Sequence, residues 1–386
     1  MKLLSAATEK QWVSLSAAEG EDDKAKSGAK LHSDQFDKIL TDLLLSENLI
    51  VLCGLGSTQC VVDGSGNSLA PTMPALWSAA QEKTGDQFDK IKMKVKYAAA
   101  GDGDNIERLL SHCQLSEALE PAKDVHDFIT EMEALIVEKC RFVTDTVALP
   151  VHEAFLRRVA RRPIRQPRLK LFTTNYDLCF ETAASHTRFV VVDGFSHTQP
   201  QEFDGTYFNY DFVRRERDRE VPEYIPNVFH LYKMHGSVDW QLKEPQIVKT
   251  PTPELPLIIY PRYEKFESSY QQPFLEMMSR FQISLREPNT GVLVVGFGFN
   301  DRHISQPVLS AIGSNVGLKV IIVDPALEGS KNPAIQTCVS LIHAGDSRLA
   351  LVAAKFEELV SSIPDLVATT EAEEHQSRLR TLRNVQ

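Results

Sequence analysis

The 386-residue chain predicts an α/β fold, with a mostly parallel sheet, helices on both faces and a helical insertion. Three observations carry this. Short apolar or β-rich runs recur at Leu169–Thr173, Phe189–Val192, Phe229–Met234, Leu257–Tyr260, Gly291–Gly296, Leu318–Val323 and Leu349–Ala353. Helical patterns at 265–286 and 303–313 separate several of them, and strands alternating with helices imply parallel pairing. The stretch from about 74 to 162 lacks strand alternation and carries few breakers, so it reads as helical.

Taken in order, residues 1–32 read as a flexible N-terminal arm, because Glu19–Lys30 is polar and has no apolar rhythm. Ser33 reads as a helix cap. Phe36, Ile39, Leu40, Leu43 and Leu44 then follow the spacing of one buried helix face. Leu49–Leu52 is a short apolar run leading to glycine, as in a buried parallel strand. Pro74 can open the helical subregion, whose segments are 104–119, 124–142 and 146–162. Phe128, Met132, Leu135 and Ile136 have the helical spacing of a core or of a subunit interface. Pro245, Pro251, Pro253 and Pro256 mark a loop, since strand-like sequence lies on both sides. Residues 33–365 thus form the main domain, and 366–386 form a charged C-terminal tail.

Composition excludes several classes. The net charge of −10 argues against a surface built wholly to grip nucleic acid or an anionic membrane. A local patch stays open. The basic run from Arg157 to Lys170 reads as a solvated helix end or as a contact for nucleic acid or an acidic partner. No run approaches the length of a membrane span, and Glu9, Lys10 and Gln11 interrupt any leader-like apolar core. The six cysteines include no pair separated by two residues, which fits reduced thiols in a cytoplasmic protein.

Chemistry is expected just after each strand, because ligands of open parallel sheets bind beyond the carboxyl ends. Gly54-Leu55-Gly56-Ser57-Thr58 follows the first run, and reads as a phosphate-binding turn or as a tight turn without a ligand. Thr173-Thr174-Asn175-Tyr176-Asp177 could cap a helix or line a site. His235, in Met234-His235-Gly236-Ser237, is a polar turn residue or a base that titrates near neutral pH. Gly296-Phe297-Gly298-Phe299-Asn300-Asp301 and Asp324 complete the set, an acidic strand end being able to bind ribose hydroxyls. No Gly-x-x-x-x-Gly-Lys-Ser/Thr run occurs.

The ordered series GLGST, TTNYD, MHGSVDW, GFGFND and IIVD resembles the sirtuin-like family, in particular the bacterial sirtuin-like NAD hydrolases of antiviral defence, over about residues 35–363. The resemblance implies a Rossmann-like fold that takes NAD as its substrate. It implies that Gly54, Gly56, Ser57 and Thr58 bind the pyrophosphate, with Leu55 and Thr58 departing from the family's usual Ala and Ser. It implies Thr174, Asn175 and Asp177 near the nicotinamide ribose, His235 as the catalytic base, Gly296, Gly298 and Asn300 along ribose and phosphate, and Asp324 at the adenosine ribose. Asn175, Asp177 and His235 are the expected catalytic set. The four-cysteine zinc module of protein deacylases has no counterpart here, so no zinc is expected and the implied reaction is hydrolysis of NAD to nicotinamide and ADP-ribose. A deacylase or ADP-ribosyltransferase, and a non-catalytic subunit sensing NAD or ADP-ribose, are the alternatives. The family also implies a homo-oligomer and a HerA-type ATPase as partner. NAD and NADP are not distinguished by these residues.

Overall fold

The strands of the main sheet are short and apolar on both sides, as strands covered by helices must be. The computed structural model describes residues 1–17, 22–98, 104–163, 165–215, 223–254, 256–258 and 272–366. Its strands are β1 (Lys2–Ser5), β2 (Val13–Ser14), β3 (Asn48–Cys53), β4 (Lys170–Thr173), β5 (Val190–Val192), β6 (Gln201–Glu202), β7 (Val213–Arg214), β8 (Glu223–Tyr224), β9 (Val228–Lys233), β10 (Gly236–Lys243), β11 (Gln246–Lys249), β12 (Pro256–Ile258), β13 (Thr290–Val295), β14 (Lys319–Val323) and β15 (Leu349–Ala353). The helices are α1 (Asp23–Leu44), α2 (Met73–Thr84), α3 (Asp86–Lys94), α4 (Ile106–Leu119), α5 (Lys123–Cys140), α6 (Pro150–Phe155), α7 (Cys179–Thr187), α8 (Phe274–Ser284), α9 (Arg302–Ser314), α10 (Pro333–His343) and α11 (Phe356–Ser362).

The nine-stranded sheet runs β2-β1-β15-β14-β13-β3-β4-β9-β5. Pairing is parallel from β15 to β5, while β1 and β2 add an antiparallel edge. Side chains alternate across it. Leu49, Val51 and Cys53 of β3 pack with Phe36, Leu40, Phe155, Phe180 and Phe356 on one face. Ile50 and Leu52 pack with Phe281, Ile304 and Ile335 on the other. The chain leaves β3 toward β4 on one side and returns to its other edge at β13, so the sheet reverses direction at the β3–β13 pair. The predicted α/β fold is therefore observed.

The helical insertion has its own core. Trp77 meets Phe88 edge-on at 4.8 Å, Phe88 meets Phe128 at 6.0 Å, and Met132, Leu135 and Ile136 are buried beside them. That core spans α2 to α5, whereas α6, inside the expected 74–162 subregion, packs on the sheet with α7. Tyr176, Leu178 and Val238 lie against the insertion's core, which brings it over one end of the sheet.

Three sequence expectations change. The arm expected at 1–32 instead supplies β1, paired with β15, and the first part of α1. Helix α1 begins ten residues before Ser33, with the carboxylate of Asp22 accepting from the Ala25 amide at 2.8 Å. The proline-marked loop contains β11, which pairs with β10 in a separate antiparallel sheet ordered β12-β10-β11-β6. Much of the basic run is turned inward, with Arg157 and Arg165 staying exposed: Arg162 donates to the carbonyls of Leu44 and Ser46 at the end of α1, Arg158 donates to the Val360 carbonyl, and Arg168 and Lys170 pair with Asp211 and Glu287. All but the first residue of the expected tail, and the start of the 265–286 segment, lie outside the described residues. Among the described residues, no helix is long and apolar enough to cross a membrane.

Candidate functional site

Every strand-end motif singled out in the sequence lies at the carboxyl edge of the parallel sheet. From one side to the other the order is Asp324 after β14, Gly296 after β13, Gly54 after β3, Thr174 and Asn175 after β4, and His235 after β9. The centre of this row is the reversal point, where an open crevice is expected.

Two loops interlock there. Gly54 N–H donates to the Val295 carbonyl and Gly56 N–H to the Gly296 carbonyl, both at 3.0 Å. A Cβ on Gly56 would stand 2.5 Å from the Gly296 Cα, and one on Gly54 would stand 2.6 Å from the Gly296 oxygen. Gly296 itself has φ +59°. These glycines are thus required by close backbone approach. The Gly54 and Gly56 amides are already engaged by carbonyls, so a pyrophosphate contact at these glycines does not run through their N–H groups. Ser57 and Thr58 are likewise turned into the loop. Their amides donate to Gly54 and Leu55, and their hydroxyls donate to the same two carbonyls at 2.8 and 3.0 Å.

Asn175 ties β4 to this loop, its Nδ2 donating to the Gly54 carbonyl at 3.1 Å and to Ser57 Oγ at 3.3 Å. That orients the side chain and leaves Oδ1 as the acceptor it can offer a bound molecule. Thr174 N–H donates to the Cys53 carbonyl. Asp177 is buried, and its Oδ1 accepts from the Cys179 amide at 3.0 Å, starting α7. This amide contact at the entry to α7 is the helix-start role that the turn offered Asp177. Beneath the turn lies Lys233, 2% exposed, which donates to the Tyr176 and Asp177 carbonyls and pairs with Glu181 at 3.0 Å. Burial pushes the Glu181 carboxyl above its ordinary range, while Lys233 pulls it back. The sequence reading missed this lysine, which a buried β9 position disguised.

His235 is 5% exposed. Its Nε2 lies 3.1 Å from Asp301 Oδ2 and 3.1 Å from His303 Nε2. His303 Nδ1 lies 2.7 Å from Asp301 Oδ1. Since β3 and β4 separate β13 from β9, this contact joins strand ends about 14 Å apart in the sheet. Phe297 and Phe299 anchor the crossing loop in the core, their rings 5.1 Å apart. Phe299 adopts φ +56°, a strained conformation for a bulky residue, and its burial holds it there. Asp301 enters the sequence reading only as the last residue of the GFGFND run, with no role of its own, and His303, two residues further on, does not enter it.

The outer members stand apart from that cluster. Asn300 is exposed, and Asn332, the cap of α10, donates to Asn300 Oδ1 at 3.2 Å and to the Gly298 carbonyl at 3.1 Å. Asp324 accepts from the Ala326 amide at 2.8 Å, and burial raises its carboxyl above the ordinary range.

The fold and this row of loops define an α/β protein with its candidate residues lined up along the carboxyl edge of the parallel sheet. A model of the SIR2-like domain matches residues 170–333, less than half of the chain but including Asn175, His235, Asp301 and His303. A search of curated proteins finds no match. Among solved structures, a serine-to-alanine mutant of a Sir2 homologue in complex with ADP-ribose is similar over 85% of this chain and 96% of that one, at 14% identity and TM-score 0.42. Cytosolic 5′-nucleotidase IIIB bound to cytidine is similar over 89% of this chain and 92% of its own, at 12% identity and TM-score 0.31. Neither likeness is close enough to bear on fold or function.

Proposed function

We propose that the chain hydrolyses NAD to nicotinamide and ADP-ribose. The observation that carries this reading is the placement of Asn175 and the His235–Asp301 pair just beyond the carboxyl ends of the neighbouring strands β4 and β9, within the segment that the SIR2-like domain model matches.

The chemistry asks little of an acid. The nicotinamide ring is already a cationic leaving group, so the C1′–N bond breaks with its electron pair passing to nicotinamide. An oxocarbenium-like ribose remains, and water adds at C1′ to give ADP-ribose and one proton. His235 takes that proton from water or from a ribose hydroxyl. Asp301, one contact away, stabilises the imidazolium that forms, as a carboxylate behind a catalytic histidine does. In this reading the carboxylate that serves the base is Asp301. Asn175 offers Oδ1 to water or ribose, and its Nδ2 bonds fix that position. The interlocked glycine loops set the floor on which the ribose would rest. Depletion of cellular NAD as an antiviral effector, in a homo-oligomer or beside a HerA-type ATPase, is the cellular role we attach to this reaction.

The test is to follow nicotinamide and ADP-ribose release from NAD by the full chain, with NAD binding measured separately by calorimetry. His235→Ala should bind NAD and lose a factor of about 10²–10⁴ in turnover. Turnover in the variant equal to that of the parent would remove His235 from the mechanism. Binding of NAD without release by the parent would favour the sensing subunit instead.

A further inference from the structure

We propose that His235, Asp301 and His303 form a binding site for a divalent transition-metal ion of the zinc type, and that an ion held there keeps the site inactive. Among the described residues these three are the one group of metal-ligating side chains whose donor atoms all lie within 4.8 Å of one another. The spacing suits a single ion. The His235 Nε2–His303 Nε2 and His235 Nε2–Asp301 Oδ2 separations are both 3.1 Å. Donors that far apart subtend about 95° at an ion about 2.1 Å from each, which is within the range of zinc–nitrogen and zinc–carboxylate bonding.

The donors are also oriented. His303 Nδ1 stands 2.7 Å from Asp301 Oδ1, so an Nδ1–H there donates to the carboxylate and leaves His303 Nε2 as the lone-pair nitrogen facing His235. The same contact leaves Asp301 Oδ2 toward His235. A hydrogen bond of this kind fixes the tautomer and ring orientation of metal-ligating histidines. Side-chain exposures of 5%, 17% and 18% place all three where water competes weakly. Two imidazoles and one carboxylate select a borderline ion such as zinc, since magnesium and calcium prefer oxygen sets. Three protein donors leave at least one position for water.

This site differs in kind from a four-cysteine module. Five of the six thiols are buried and Cys60 is half-buried, and burial pushes the Cys60 thiol up to about 12. Binding displaces to solvent any proton shared between the two Nε2 atoms, and nothing else changes covalently. The inhibitory consequence rests on the NAD-cleavage reading: a ring coordinated to a dication is a poor proton acceptor, and Asp301 is withdrawn from it.

The experiment uses the tag-free full chain, stripped with chelator and titrated with zinc chloride by calorimetry, with cobalt(II) absorption as a second probe. One ion per chain is expected. His303→Ala and Asp301→Asn should each weaken zinc binding about 100-fold. Melting curves verify that both remain folded, and His303→Gln replaces the alanine variant if it does not. Cobalt should give weak visible bands without the intense near-ultraviolet bands of thiolate ligation. Absence of saturable binding, parental affinity in the variants, or thiolate bands would each overturn the site. Zinc binding by a chain that never cleaves NAD would leave the site standing and sink the NAD reading. Undiminished NAD cleavage at saturating zinc would refute the inhibitory role.

Discussion

Gly296→Ala tests whether the two glycine loops are locked by backbone approach. Gly296 combines φ +59° with main-chain atoms of the facing loop where a side chain would go: a Cβ would lie 2.4 Å from Gly56 Cα and 2.6 Å from the Ser57 nitrogen. Holding alanine in the left-handed region costs about 1–2 kcal/mol. Overpacking against backbone that cannot swing aside adds about 1–3 kcal/mol. The sum is about 2–5 kcal/mol, a large share of ordinary folding stability. Relief requires the loops to part, and the Gly56 N–H to Gly296 carbonyl bond then lengthens and Asn175 loses its fixed acceptor at Gly54. Gly298→Ala is the internal control, because its new Cβ would meet only the Asn300 side chain, at 3.3 Å, with φ outside the strained range. Urea unfolding of the parent and both variants measures the difference directly. A Gly296→Ala chain as stable as Gly298→Ala would refute the interlock.

Other expectations follow from the same geometry. His152 is wholly buried between Phe180 and Phe356, with burial lowering its pKa from 6.5 to about 3 and the Ser57 main chain pulling weakly the other way. Between those values the unfolded chain binds a proton that the folded chain does not. Stability is therefore fully present above the ordinary histidine range and falls by up to about 1.4 kcal/mol per pH unit below it. His152→Phe should flatten this slope in denaturant titrations from about pH 6 to about pH 5, and an unchanged slope would contradict the assignment. Lys233→Met removes the ammonium donor from the Asp177 carbonyl, takes one of two donors from the Tyr176 carbonyl, which keeps the Val238 amide, and leaves Glu181 without its cation, a loss of about 3–5 kcal/mol, measurable as a lower urea midpoint. Asn175→Ala should cut NAD turnover about 100-fold or more while the circular dichroism spectrum stays parental, and equal turnover would exclude it from the site.

Much of this architecture can be read from the chain. The parallel strands are apolar runs with glycine or asparagine turns behind them, so both the sheet and the row of loops at its carboxyl edge are visible in the pattern. The edge pair is not: Lys2–Ser5 is four residues, and its partner Val13–Ser14 is two, too short for alternation to show. The first turns of α1, DKAKSGAKLH, carry no apolar rhythm, and only Ala29 of that stretch is buried. Within the site, Asn175 and His235 stand at strand ends where chemistry is expected. The partnership of His235 with Asp301 and His303 is invisible, since His235 and His303 are 68 residues apart and meet only because a loop crosses two strands. The glycine turn shows the converse. Its composition fits a phosphate cradle, yet its glycine amides are taken by a neighbour that no local pattern reveals.

The antiparallel edge has a consequence for solubility. A bare β15 would present Leu349–Ala353, with four of its five residues buried and its peptide groups unpaired, as a template for strand addition from another molecule. β1 occupies that edge, and Lys2, exposed and paired with Glu328 at 2.6 Å, places charge on the strand that replaces it. The first fourteen residues thus cover the β15 edge with β1 and β2. A chain shortened by that length is expected to keep its parallel core while clouding on warming at concentrations where the full chain stays clear.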